Sequence, residues 1–256
     1  MAQSVDVSSA GEFADPRLVS LYDALFPPGA DTAFWLSLAD DRPGAPVVDV
    51  GCGTGVLAVE LARRGHAVTG VDPAPGMLEV ARSRPGGELV RWLEGDATAL
   101  AAAGVDGQGL GYLTSHVVQL IVDDDALATT FSAVRAALAP GGRLAFDSRS
   151  QDAATWLARS GYLTPRTRTH PTLGDVVFRQ ESLGAEGSLA RYRLRYTLVA
   201  TGEDLTAEAE LRFRTLDELT ELLQATSFTV DEVHGDWDRR PPGADTTEYL
   251  VVARAV

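Results

Sequence analysis

Lysine and asparagine are both missing from this chain of 256 residues, and cysteine occurs once, as Cys52. Without lysine there is no Schiff-base nucleophile, no pyridoxal-phosphate anchor and no P-loop lysine. Codon bias in a GC-rich gene would produce both gaps, so neither is read as selected. A lone cysteine excludes an internal disulfide and any cysteine-ligated metal cluster. No apolar run approaches the ~18 residues of a membrane span. Residues 1–13 carry no basic stretch leading into an apolar one, so no signal peptide is expected and the expected location is cytoplasmic. Positive charge is also scarce, with 22 bases against 36 acids and a net charge of −14. No clustered basic surface is visible for neutralising phosphates, so neither nucleic acid nor membrane is expected as a partner. The acidity reads as a solubilising surface.

What is present is ordered by hydrophobic periodicity. Asp15-Pro16 opens a helix that runs to Phe26, with Leu18, Leu21, Tyr22 and Leu25 on one face and Pro27-Pro28 ending it. A second helix covers residues 31–39. Residues 46–50 read as a buried strand running straight into glycines, and residues 56–64 as a helix stopped by Gly65. The unit repeats as strand 67–71, helix 76–84 and strand 89–93. Residues 109–115 read as a fourth strand weakened by its glycines. A helix over 123–138, stopped by Pro140-Gly141-Gly142, leads to a fifth strand at 143–147. Alternation of this kind predicts an α/β fold with a doubly wound, mostly parallel sheet.

The period becomes two from about Thr164 to Phe213. Tyr192, Leu194, Tyr196 and Leu198 alternate with Arg191, Arg193, Arg195 and Thr197, as half-buried antiparallel strands do. The helical pattern returns at 216–226, and strands follow at 229–234 and 248–253. The division expected is a helical cap at 1–44, a core of 45–150 with 215–256, and a β-rich insertion at 151–214.

The run Asp49-Val-Gly51-Cys52-Gly53-Thr-Gly55 sits where a strand turns into a helix. Its glycines permit a tight turn and close approach of a ligand, and the helix N-terminus behind it suits a carboxylate or a pyrophosphate. Dinucleotide folds use G-x-G-x-x-G, and here Val56 stands where the third glycine would be. Asp72, 21 residues after Gly51, ends the second strand, where it serves either as a helix cap or as an acceptor for a ribose diol. Asp96, in Glu94-Gly95-Asp96-Ala97, is either a turn residue or an acceptor for an adenine amino group.

Together with Leu138-Ala-Pro-Gly-Gly-Arg143, these motifs resemble the class I (Rossmann-like) S-adenosylmethionine-dependent methyltransferases over residues 45–147. The resemblance implies a seven-stranded sheet whose last strand is antiparallel, with S-adenosylmethionine as cofactor and S-adenosylhomocysteine as product. The Gly51–Gly55 loop, with Cys52 and Gly53, would hold its methionine part, Asp72 the ribose hydroxyls, and Asp96 with the Ala97 amide the adenine, and Asp49, Pro73, Met77 and Gly95 are further cofactor-binding candidates. Ser115 and His116 would lie beside the methyl group. The insertion is similar to the lids of small-molecule methyltransferases. Absence of asparagine removes an Asn-Pro-Pro-Tyr type site. Glycines at 107, 109 and 111 depart from the family's strand four and put its end in question.

Methyl transfer to oxygen or nitrogen needs alignment and, for a protonated acceptor, a base. Of four histidines, His116 is the candidate base. His66 reads as structural, and His170 and His234 are remote candidates. Tyr22, Arg149, Trp156 and Trp237 are tentative substrate contacts, and the arginine stripe reads as a solvated strand face. Histidines and acids never fall at metal-ligand spacing, so no metal is expected. The expected activity is methylation of a small-molecule metabolite or natural product by a monomer or homodimer. Alternatives are a non-methylating elimination or cyclisation, and an inactive S-adenosylmethionine-binding partner subunit.

Overall fold

Caps and prolines set the element ends in the computed structural model, which describes residues 13, 15–150, 152–159 and 165–256. Residues 1–12 and the expected start of the insertion, at Gln151 and Thr164, lie outside that description. Helix α1 (Pro16–Leu25) begins where Asp15 accepts from the Arg17 amide, with Pro16 at the first helical position. Next come α2 (Ala30–Asp40), β1 (Val47–Val50), α3 (Val56–Arg63), β2 (Val68–Asp72), α4 (Pro75–Ser83), β3 (Val90–Glu94) and a short α5 (Ala99–Ala102). Strand β4 (Gln108–Leu113) leads through α6 (Val117–Leu120) to α7 (Asp124–Ala137), which Asp123 caps through the Ala126 amide. Strand β5 (Leu138–Arg149) starts earlier than its apolar run suggests, because Leu138 already pairs with Gln108 although Pro140-Gly141 reads as a stop. After α8 (Ala153–Arg159) come β6 (Arg166–His170), β7 (Gly174–Glu186), β8 (Leu189–Leu198) and β9 (Glu203–Arg212). The chain closes with α9 (Leu216–Ala225), started by a Thr215/Glu218 capping box, then β10 (Phe228–His234) and β11 (Glu248–Ala255).

Seven strands pair in the order β10-β11-β5-β4-β1-β2-β3, and β11 runs antiparallel to both its neighbours. Strands β1 to β3 wind outward one way and β4 and β5 the other. The ends of β1 and β4 therefore flank the switch point, where open α/β sheets place ligands. One face of the sheet packs on Phe131 and Val134 of α7 and Leu219 and Leu223 of α9, the other on Trp35 of α2 and Leu57 and Leu61 of α3. Burying these faces is the main driving force for the fold.

The glycines do not loosen β4. It is hydrogen-bonded to β1 on one side and β5 on the other, with a bulge between Gln108 and Leu110. A Cβ on Gly109 would lie 2.8 Å from Ala45 Cβ, and one on Gly111 2.9 Å from Val134 Cγ1, so the glycines let α7 and the residues before β1 pack close. The strand ends at Leu113 rather than Ser115, because Ser115 and His116 adopt positive φ values of 60° and 65°.

The insertion forms its own antiparallel sheet in the order β6-β7-β8-β9. Its core takes in Leu18, Leu21 and Leu25 of α1, while Val19 and Tyr22 of the same helix pack with Ala74 and Met77. Helix α1 thus wedges between the two layers. The arginine stripe of β8 is matched across the strands: Arg191 meets Glu210, Arg193 meets Glu208, and Arg195 meets Glu181 and Asp204.

Candidate active site

The glycine loop is closed by its own backbone. The Gly51 and Cys52 amides donate to Val71 O at 2.8 and 3.1 Å, and the Gly55 amide to Cys52 O at 2.9 Å. All three glycines have positive φ, which a side chain would strain. A Cβ on Gly51 would strike Val117 and one on Gly55 would strike Trp92, each at 2.5 Å, whereas one on Gly53 meets nothing within 4 Å. Gly53 is therefore where a ligand can approach the backbone.

A cavity of about 500 Å³ opens beside this loop, a volume suited to a cofactor or metabolite. Asp49, Gly51, Cys52, Gly53 and Thr54 form one wall, and Ser115, His116, Asp147 and Arg149 the next. Tyr22, Asp23, Asp31 and Trp35 close it from α1 and α2, Tyr192, Glu208 and Glu210 from the second sheet, and Trp237 from the segment after β10. Thr54 donates to Asp23 at 2.6 Å, and Arg84 bonds both Asp23 and Thr54 O, which ties α1 to the loop.

Asp49 is only 1% exposed, and its Oδ1 has no partner among the described residues. Burial, helped by the charge of Asp72, pushes its carboxyl up to about 7. Burial raises the Asp72 carboxyl too, and bonds from the Ala74 and Gly53 amides, at 2.9 and 2.8 Å, oppose that rise.

A second acidic centre lies across the cavity. The His116 amide donates to Asp147 Oδ2 at 2.9 Å, and its ring Nε2 lies 2.8 Å from Glu248 Oε1 and 3.3 Å from Asp147 Oδ2. Asp147 is 1% exposed with Oδ1 unpartnered among the described residues. Burial raises its carboxyl to about 6, with Glu248 adding and His116 opposing. Sequence spacing shows no metal-ligand pattern, yet the fold brings one donor atom each of His116, Asp147 and Glu248 within 4.8 Å of one another.

The other expected site residues are dispersed. Gly55, Asp72, Pro73, Met77, Gly95, Asp96 and Ala97 are not on the wall of this cavity. They sit at or just beyond the ends of β1, β2 and β3, where the Gly95 amide bonds Asp72 O at 3.0 Å, except Met77, which is buried inside α4 against Val19. Asp96 is exposed and accepts from the amide and hydroxyl of Thr98, which is the turn role. Trp156 is buried in the second sheet's core with Arg149 over its ring at 5.0 Å, and is absent from the wall. His66 bonds Ala45 O, His170 bonds Ser20 O and His234 bonds Glu232, all away from the wall. Sequence reasoning passed over Asp147 and Glu248 as site residues. The available signal was a pair of acids at the ends of otherwise apolar strands.

Residues 47–142 match the family model for a methyltransferase domain. A magnesium-protoporphyrin O-methyltransferase of Rhodobacter capsulatus is 50% identical over 64 residues, 24% of this chain and 29% of that protein, so the match spans less than a third of the relative. Among solved structures, the methyltransferase CcbJ of Streptomyces caelestis superposes with a TM-score of 0.76 at 21% identity, covering 97% of this chain and 99% of its own. The amino-pentose methyltransferase CalS10 of Micromonospora echinaspora, solved with S-adenosylmethionine bound, gives a TM-score of 0.69 at 24% identity over 92% and 97%. Residues 47–142 thus match a methyltransferase domain, and the chain as a whole has the class I fold seen in these methyltransferases.

Proposed function

We propose that this chain methylates an amine of a small molecule with S-adenosylmethionine. The observation that carries the reading is one continuous cavity joining the glycine loop to His116 beneath the inserted sheet. The residues present suit the cofactor: Gly53 leaves its backbone open, and Asp49 Oδ1 offers a buried acceptor to an ammonium group. Bound there, S-adenosylmethionine would supply an electrophilic methyl group. Asp72 keeps lone pairs beyond its two backbone bonds for a ribose diol. Asp96 and Ala97 would take the adenine, as the resemblance implies.

An amine acceptor is favoured over a hydroxyl by the charge of the wall. Six acids line it, of which Asp23, Glu208 and Glu210 are paired with Arg84, Arg193 and Arg191, leaving Asp31, Asp49 and Asp147 against Arg149 and His116. A cationic guest is attracted to such a surface, and an anionic one is repelled. Holding donor and acceptor in line can supply ~7–11 kcal/mol of the barrier. His116 would take the acceptor's proton.

Calorimetry with S-adenosylhomocysteine should give binding, and its absence at millimolar ligand would sink the reading. Methyl-labelled S-adenosylmethionine, offered with a panel of amino sugars, alkyl amines and phenols, should label the amines. Label on phenols alone would overturn the amine assignment. Products formed while S-adenosylmethionine is recovered unconsumed would point to the non-methylating alternative.

A further inference from the structure

Each methyl group gained by an N–H or O–H acceptor releases one proton, which must leave a cavity whose acceptor side is closed by the second sheet. We propose that His116 and Glu248 form a proton relay out of this cavity, with Asp147 as the residue that positions His116. The proposal rests on the cavity being a methyl-transfer site.

The backbone shows how the histidine is held. Ser115 and His116 both adopt left-handed conformations, each costing a non-glycine residue roughly 1–3 kcal/mol, which neighbouring structure must offset. Asp147 Oδ2 offsets it by accepting the His116 amide at 2.9 Å. Asp147 is itself fixed in β5 by pairing with Leu250 of β11. The ring is held separately, through Nε2 to Glu248 at 2.8 Å. Nδ1 has no hydrogen-bond partner among the described residues, and His116 lines the cavity. Of the two ring nitrogens, one is engaged by the acid and the other is available to an acceptor.

Glu248 is not on the cavity wall and its side chain is 17% exposed, so it links the cavity-lining ring, itself 24% exposed, with water outside the cavity. Arg149, its partner across β5 and β11, donates instead to Gln119 and lies over Trp156, which leaves the glutamate to the histidine. The transfer balances as follows. The acceptor keeps its new bond to carbon and gives its proton to Nδ1. The proton on Nε2 passes to Glu248 Oε1, Glu248 returns to carboxylate by releasing it to solvent, and once product leaves, one water takes the Nδ1 proton while another protonates Nε2, which restores the starting tautomer. A carboxylate that orients a histidine and favours its Nε2–H tautomer is a familiar device for such a base.

Full-length protein with ¹⁵N-labelled histidine and bound S-adenosylhomocysteine tests the relay without a known acceptor. His116, assigned through the loss of its signals in His116→Gln, should be the Nε2–H tautomer with Nδ1 bare. That preference should vanish in Glu248→Leu. A wild-type Nδ1–H tautomer, or the same tautomer in the variant, would overturn the relay. Glu248→Gln keeps an acceptor for the ring but cannot carry the proton. With any amine that wild type methylates, it should lose 10-fold or more in kcat while KM for S-adenosylmethionine stays within threefold. Unchanged kcat would overturn the relay. S-adenosylhomocysteine affinity within threefold of wild type in both variants keeps the cofactor reading separate. Equilibrium dialysis against Zn²⁺ and Mn²⁺ closes the test: one equivalent bound by wild type and lost in Glu248→Leu would replace the relay with a cation held by His116, Asp147 and Glu248.

Discussion

Asp49 shows how a binding site costs stability. In the unfolded chain its carboxyl loses a proton near the ordinary 3.8, whereas burial in the fold holds the proton up to about 7. The folded state therefore binds more protons in that window, and stability falls as pH rises from about 4 to 7. Roughly three pKa units correspond to about 4 kcal/mol. Asp49→Asn should raise the melting temperature at pH 8, flatten its fall between pH 5 and pH 8, and weaken S-adenosylhomocysteine. Parallel melting curves for the two proteins across that range would disprove the assignment. Asp72→Ala should weaken S-adenosylhomocysteine by about 1.5–3 kcal/mol by calorimetry, the value of a charged hydrogen bond. It should also lower the melting temperature, because the Gly53 and Ala74 amides lose their acceptor. The positions of Gly51, Gly53 and Asp72 at a loop and a strand end could be read from sequence because a strand, a glycine turn and a helix are local signals. The turn at Ser115 and His116 could not, since serine does not favour positive φ and a single histidine, though enriched there, does not mark a turn. Asp147 and Glu248 join His116 only through pairing of strands about a hundred residues apart.

At the scale of elements, periodicity located the strands and the longer helices of the main sheet, and missed what was too short to have a period. Helices α5 and α6 have four residues each, and α8 has seven. Helix α6 carries the cavity wall after His116 and is held from the far side by Arg214, just past β9. This arginine, 4% exposed, donates to Val118 O, Ile121 O and Val122 O and pairs with Asp124. Burial lowers its proton affinity, and the Asp124 contact opposes that. Arg214→Leu leaves these carbonyls without a donor and should destabilise the protein by about 1–3 kcal/mol in urea unfolding. A loss below 1 kcal/mol would show that α6 holds itself. The glycines of β4 are the opposite case. Composition suggested a weak strand, but they mark close contacts that only a bare backbone can make.

Across the whole molecule, the two sheets communicate through α1, which packs in the core of one and against α4 of the other. Hydrogen exchange with and without S-adenosylhomocysteine should show slowed amides in α1 and at the start of α3, since both border the cavity. Protection limited to the inserted sheet would contradict this coupling. Strand order also has a consequence in time. Strand β11 lies between β10 and β5, so the main sheet is completed from within by the final stretch of chain. During synthesis, β1 to β3 and the glycine loop emerge early and can form. His116 then waits for a glutamate 132 residues downstream, so a nascent chain can form its glycine turn long before its acid-held histidine.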